Sequence, residues 1–100
     1  MRYLFLLNPT AGKRDCTAEL APAIQTAAQR AGIPPEKRKV VVTQYAGHAR
    51  ELAAEAAHTA QADGEPVRIW TAGGDGTFNE ALTGAQGCSL AAVGCLPFGS

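Results

Sequence analysis

Val67-Arg68-Ile69-Trp70-Thr71-Ala72-Gly73-Gly74-Asp75-Gly76-Thr77-Phe78-Asn79-Glu80 runs from an apolar stretch straight into a glycine-rich loop. The apolar part predicts a strand over 67–72, and the glycines predict a tight exit from it. Phe78 to about Gly84 then reads as a short helix. Strand, glycine loop and helix in immediate succession make half of a βαβ unit, so the fold depends on whether the rest of the chain repeats the pattern.

It does, in both directions. Toward the N-terminus, Lys39 to Thr43 holds Val40-Val41-Val42, a second strand. Gly47 opens a helix with Leu52, Ala53, Ala56, Ala57 and Ala60 on its inner face and Gly64 at its end. Further back, Tyr3 to Leu7 is a continuous apolar run, the mark of a strand buried on both faces. The turn formers Asn8-Pro9-Thr10-Ala11-Gly12 follow it. Between about Cys16 and Ala31, the positions Leu20, Ile24, Ala27, Ala28 and Ala31 share one helical face. Gly32 and Pro34-Pro35 stop that helix, and Pro22 requires it to begin only a few residues earlier. Toward the C-terminus, Leu90 to Leu96 is a fourth strand bounded by Pro97. The order β-α-β-α-β-α-β predicts an α/β fold, a Rossmann-like three-layer parallel sheet with helices on both faces. With no helix after the fourth strand, the chain reads as truncated there.

Composition fits that frame. Of 100 residues 46% are apolar and 18% charged, which excludes a disordered chain. Twenty of the 46 apolar residues are alanine, so the larger core side chains are confined to the strand runs, and the alanines form small helix faces lying close on the sheet. No stretch approaches the roughly 18 to 20 apolar residues of a membrane span, and no signal peptide is readable. Nine Lys plus Arg balance nine Asp plus Glu, so no basic field argues for nucleic acid. The expectation is a soluble cytoplasmic protein. Cys16, Cys88 and Cys95 form neither an even set nor a Cys-x-x-Cys pair, which argues against a disulfide framework or zinc site. They are read as structural.

In an open parallel sheet, ligands bind beyond the carboxyl ends of the strands, where strand order reverses. All four strands here end in small, hydroxyl or turn-forming residues. With the first strand flanked by the second and third, these loops converge on one crevice. Glycine lets backbone amides approach phosphates, and hydroxyls donate to phosphate oxygens. A P-loop is absent: Gly12-Lys13 is followed by Arg14, and Leu7 stands where its first glycine belongs. The dinucleotide pattern starting at Gly74 and Gly76 fails at Asn79. What stands instead is the octet Gly73 to Glu80. Its Asp75 would repel a bare polyphosphate, so it acts through Mg²⁺ or accepts from loop amides or a sugar hydroxyl. Asn79 and Glu80 are placed on the first turn of the following helix, where Glu80 also suits the helix dipole.

Four elements in order resemble one family: Asn8-Pro9-Thr10-Ala11-Gly12-Lys13, Thr43 with Gly47-His48-Ala49, the octet Gly73 to Glu80, and Leu96-Pro97-Phe98-Gly99-Ser100. Together they look like the N-terminal nucleotide-binding half of the diacylglycerol kinase catalytic domain, shared by diacylglycerol, sphingosine, ceramide and bacterial lipid kinases. The resemblance covers essentially all of residues 1–100. It implies ATP binding by Asn8, Pro9, Thr10, Ala11 and Gly12, by Thr43, by Gly73, Gly74, Asp75, Gly76, Thr77, Phe78, Asn79 and Glu80, and by Ser100. Asp75 would position Mg²⁺·ATP. Ser100 stands where the family more often has threonine and keeps the hydroxyl. Ala11 stands where many relatives carry serine, which removes one donor.

The resemblance further implies a β-rich second domain beyond residue 100. That domain would supply the general base, most Mg²⁺ ligands and the lipid surface, with peripheral contact at the inner membrane face. None of the residues here is assigned as a metal ligand. The implied reaction is transfer of the γ-phosphoryl of Mg²⁺·ATP to a lipid hydroxyl, and residues 1–100 alone are expected to bind nucleotide weakly without turnover. Three alternatives stay open. NAD kinase shares a Gly-Gly-Asp-Gly-Thr loop, although the attached Asn-Glu and Asn-Pro-Thr-Ala-Gly favour the lipid kinases. The others are a non-catalytic nucleotide-binding module and a purely structural Rossmann-like domain. Outside the loops, His48 is placed on the first turn of the second helix and His58 on its exposed face. Lys37-Arg38-Lys39 reads as a solvated charge cluster, and Trp70 as core.

Overall fold

The four apolar runs become four strands because their backbone groups, buried between helices, can be satisfied only by pairing with one another. The computed structural model describes residues 1–8, 17–72 and 75–95, with residues 17–20 and Asp75 described by their backbone alone. Along the chain come β1 (Arg2–Leu7), α1 (Thr17–Arg30), a 3-10 turn at Pro35–Lys37, β2 (Arg38–Val42), α2 (His48–Asp63), β3 (Val67–Ala72), α3 (Asp75–Gly84) and β4 (Ala91–Cys95). The strands form one sheet in the order β2-β1-β3-β4. Every pairing is parallel, with Phe5 level with Val40 and Trp70, and Trp70 level with Gly94.

That order places β1 between β2 and β3, the arrangement on which convergence of the strand-end loops depends. The chain moves one way from β1 to β2 and the other way thereafter, so right-handed crossovers put α1 on one face and α2 and α3 on the other. Pro22 lies in the second turn of α1, close to its start.

The two faces are unequal. On one, Leu4, Leu6, Val67 and Ile69 pack with Ala49, Ala53, Ala57 and Ala60 of α2 and with Ala81 and Ala85. The alanines let two helices lie close over the same strands. Gly84 carries this furthest: a Cβ there would stand 3.0 Å from the Ala53 Cβ and would clash with the Arg50 carbonyl oxygen. On the other face, among the described residues, α1 supplies the cover, with Ile24 and Ala21 against Phe5, Leu7, Ala72, Tyr3, Val40 and Trp70.

A single helix does not reach across the whole sheet, and Trp70 is half-buried rather than enclosed in the core. Its ring lies over Gly94 of the neighbouring strand, where a Cβ would come within 2.6 Å of Cζ3. The Arg68 guanidinium sits 6.0 Å from the ring centroid, a cation–π distance.

Of the basic residues at the start of β2, Lys37 and Arg38 are tied down rather than simply solvated. Lys37 Nζ lies 2.8 Å from Glu65 Oε2. Arg38 donates to Gln25 Oε1 at 2.7 Å and to the Ile33 carbonyl. Of the two cysteines among the described residues, Cys88 is half-buried and donates to the Ala57 carbonyl at 3.5 Å. Cys95 is exposed at the end of β4, so the structural reading of the cysteines does not extend to it. Among the described residues, no helix is long and apolar enough to cross a membrane.

Candidate nucleotide-binding crevice

The carboxyl ends of β1, β2 and β3 lie side by side, and three hydrogen bonds hold them level. The Thr43 amide donates to the Leu7 carbonyl at 2.8 Å, and the Asn8 amide donates to the Ala72 carbonyl at 2.9 Å. The Thr43 hydroxyl also donates to Leu7 O at 3.3 Å. Thr43 is 7% exposed, so its hydroxyl sits in the floor of the crest instead of projecting from it.

Strand order reverses between β1 and β3: the loop after β1 leads to one face and the loop after β3 to the other. Across this junction Asn8 Nδ2 donates to Thr77 Oγ1 at 3.1 Å. Thr77 is 4% exposed. The bond ties the end of β1 to the first turn of α3.

The helix begins at Asp75, three residues before the Phe78 start that the hydrophobic pattern predicts. Acidic residues are favoured at that end of a helix by the macrodipole, whereas periodicity alone registers only the first large apolar residue. The shift moves the octet relative to the helix. Asp75, Gly76, Thr77 and Phe78 form the first turn, and Asn79 and Glu80 fall on the second. Gly76 is exposed, and a Cβ there would meet nothing within 4 Å. Open space therefore adjoins the amides of the helix's first turn, which have no partners within the helix itself.

The residues expected at the site are thus distributed unevenly. Asn8, Thr43, Gly76 and Thr77 lie on or beside the crest. Phe78 and Glu80 are half-buried. Asn79 is exposed on the far side of α3, where it borders a shallow depression with Leu82, Thr83, Gln86, Ala91 and Val93. Its carbonyl accepts from the Thr83 hydroxyl at 2.9 Å. Pro9, Thr10, Ala11, Gly12, Gly73, Gly74 and Ser100 lie outside the described residues, as does the side chain of Asp75.

One arrangement at this end of the sheet was not read from the sequence. Two residues past Thr43, Tyr45 is 58% exposed. Its ring stacks on His48 with centroids 4.4 Å apart and planes 16° from parallel. Its hydroxyl donates to Glu51 Oε2. That hydrogen bond, helped by desolvation and by the carboxylate charge, pushes the phenol above its ordinary range. The imidazole is held in turn, with His48 Nδ1 accepting the Gln44 amide at 3.0 Å. The only signal in the sequence is an aromatic residue beside Ala46-Gly47 in a loop that follows a strand.

Comparison with known proteins agrees with this geometry. The family model described as the diacylglycerol kinase catalytic domain matches residues 2–100. Among curated proteins, "Sphingoid long-chain bases kinase 1" of Arabidopsis thaliana is 35% identical over 106 aligned residues, which cover 99% of this chain and 13% of that relative. The chain therefore spans a small part of that protein's length. A parallel sheet whose strand order reverses between β1 and β3, matched by the family model from β1 to the last residue, places this chain in the diacylglycerol kinase catalytic domain family of lipid kinases.

Proposed function

We propose that the chain is the nucleotide-binding half of an ATP-dependent lipid kinase, which moves the γ-phosphoryl of Mg²⁺·ATP to a lipid hydroxyl. The observation that carries this reading is the Asn8–Thr77 hydrogen bond at the junction of β1 and β3. It ties the end of β1 to the start of α3, at the position where open parallel sheets take nucleotides. Open space beside Gly76 gives phosphate oxygens access to the amides of the first turn of α3. Thr43 marks the β2 side of the same crevice. Phosphoryl transfer of this kind is accelerated chiefly by positioning and charge neutralisation, and a rigid crest of strand ends suits positioning.

Among the described residues, no group of three His, Cys, Asp or Glu could hold a metal ion. A Mg²⁺ that enters on the nucleotide needs no such cage, because phosphate oxygens and water complete its octahedron. Bound there, it would neutralise charge on the transferring phosphoryl group. Asp75, at the start of α3, is the residue of this chain assigned to face it. The acceptor is assigned to the lipid hydroxyls named by the family and by the sphingoid-base kinase it resembles. The base that deprotonates that hydroxyl is assigned to a second domain beyond Ser100, together with the lipid surface and its contact with the membrane.

The test is phosphoryl transfer from γ-labelled ATP by the longer protein that carries this domain, against a panel of diacylglycerol, sphingoid base, ceramide and NAD. Transfer to a lipid that falls at least about a hundredfold in Asp75→Ala supports the reading, that being the usual scale for losing one group that stabilises transition-state charge. Transfer to NAD alone, or ATP affinity unaltered in Asp75→Ala, overturns it.

A further inference from the structure

Tyr45 is exposed and stacks on the half-buried His48, yet it is held in place at three points. The Tyr45 hydroxyl is bound by Glu51, its ring lies on the imidazole, and its carbonyl accepts the His48 amide at 3.1 Å. Exposed aromatic side chains normally keep rotamer freedom that such fixing removes. Fixing one is of use where a flat partner stacks on it.

Position narrows the partner. Neighbouring strands lie about 4.8 Å apart, so the path from the loop after β3, past Asn8, to the end of β2 covers about 10 Å. Tyr45 stands two residues beyond Thr43, at most about 7 Å farther on. A nucleotide whose phosphates lie at the β1–β3 junction extends over such a span toward its base. In related dinucleotide folds the residue closing the second strand meets the ribose, and Thr43 closes the second strand here.

Charge narrows it again. The Glu51 carboxylate lies against the Tyr45 hydroxyl, within the first turn of α2. It occupies the electropositive end of that helix and repels phosphate, so this corner suits the uncharged part of a nucleotide.

Resting on the nucleotide reading above, we propose that the Tyr45 ring, backed by His48, is the platform on which the purine base of the bound nucleotide stacks. Tyr45 is then a binding residue for the base and takes no part in holding the phosphates. Base–aromatic stacking requires the ring and not the hydroxyl.

The experiment is a calorimetric titration of the wild-type protein, Tyr45→Ala and Tyr45→Phe with ATP and, separately, with inorganic tripolyphosphate, after thermal melts establish that all three are folded. Stacking predicts that Tyr45→Ala weakens ATP about tenfold and leaves tripolyphosphate within about twofold of wild type, while Tyr45→Phe stays within about threefold for both. Unchanged ATP affinity in Tyr45→Ala overturns the platform, as does an equal loss for ATP and tripolyphosphate. Wild type that binds tripolyphosphate as tightly as ATP also overturns it, while leaving the crevice intact. Wild type that binds neither overturns the nucleotide reading itself, and the platform with it.

Discussion

Asn8 Nδ2 and Thr77 Oγ1 are 3.1 Å apart although 69 residues separate them in the chain. The pair closes the junction where the chain reverses direction across the sheet. It links the end of β1 to the start of α3, two elements far apart in the chain. Replacing Thr77 by Val keeps the shape and removes the oxygen. Stability is expected to fall by about 1 kcal/mol, the usual net worth of such a bond. Nucleotide affinity is expected to fall about three- to tenfold as the crevice loosens. A double-mutant cycle with Asn8→Ala checks the pairing: a coupling energy of about 0.5–1.5 kcal/mol is expected, and strictly additive effects would count against it.

Gly84 sets the distance between α2 and α3. A side chain there must displace the Arg50 carbonyl and press on Ala53, which are parts of a packed helix and cannot swing aside. Gly84→Val is expected to lose about 1–3 kcal/mol or more, read as a lowered midpoint in urea. Gly76→Ala, placed in open space, is the control and should leave the midpoint nearly unchanged.

Trp70 reports on the face that α1 covers. It is the one tryptophan in the chain, so its fluorescence is unambiguous. In Gly94→Ala the new methyl group would stand 2.6 Å from Cζ3, and the ring must move outward. A red-shifted emission maximum and a stability loss of about 1–3 kcal/mol are expected. Emission identical to wild type would mean that the ring does not rest on Gly94.

Glu65 gathers three cations at the opposite end of the sheet: Lys37 Nζ at 2.8 Å, Arg2 Nε at 3.1 Å and the Met1 amino group at 3.2 Å. The Lys37 hydrogen bond, followed by that of the amino terminus, holds its carboxyl below the usual glutamate range. A carboxyl depressed in the folded state stabilises the fold above its unfolded pKa of about 4.3. That contribution is lost as pH falls through the lower folded-state value. Unfolding followed from pH 7 toward about pH 3 should show a shallower acid loss in Glu65→Gln than in wild type. Matching slopes would show that the cluster contributes nothing.

Local pattern was enough for much of the molecule. The runs Tyr3–Leu7, Lys39–Thr43 and Val67–Ala72 locate three strands to within a residue or two, because short apolar or β-branched runs bounded by turn formers favour strands. The alanine face of α2 and the stops at Gly32 and Gly64 are local as well. Parallel order and two helical layers followed from the crossover rule. The family followed from loops whose residues are adjacent in the chain.

Tertiary structure decided what depends on distant residues. No periodicity in α3 places its start at Asp75, and none aims Asn8 at Thr77. Trp70 has the composition of a core residue, yet it remains half-buried, since among the described residues α1 is the helix on its side of the sheet. Tyr45 is an unremarkable loop residue in the sequence. It becomes a fixed aromatic surface only when His48 and Glu51, one helical turn apart, close on it. The chain's own sequence therefore determined which segments are strands and helices and which loops carry chemistry, since those properties depend on side chains a few residues apart. The spacing and orientation of groups in the crevice came from contacts between segments far apart in the chain, which local sequence does not encode.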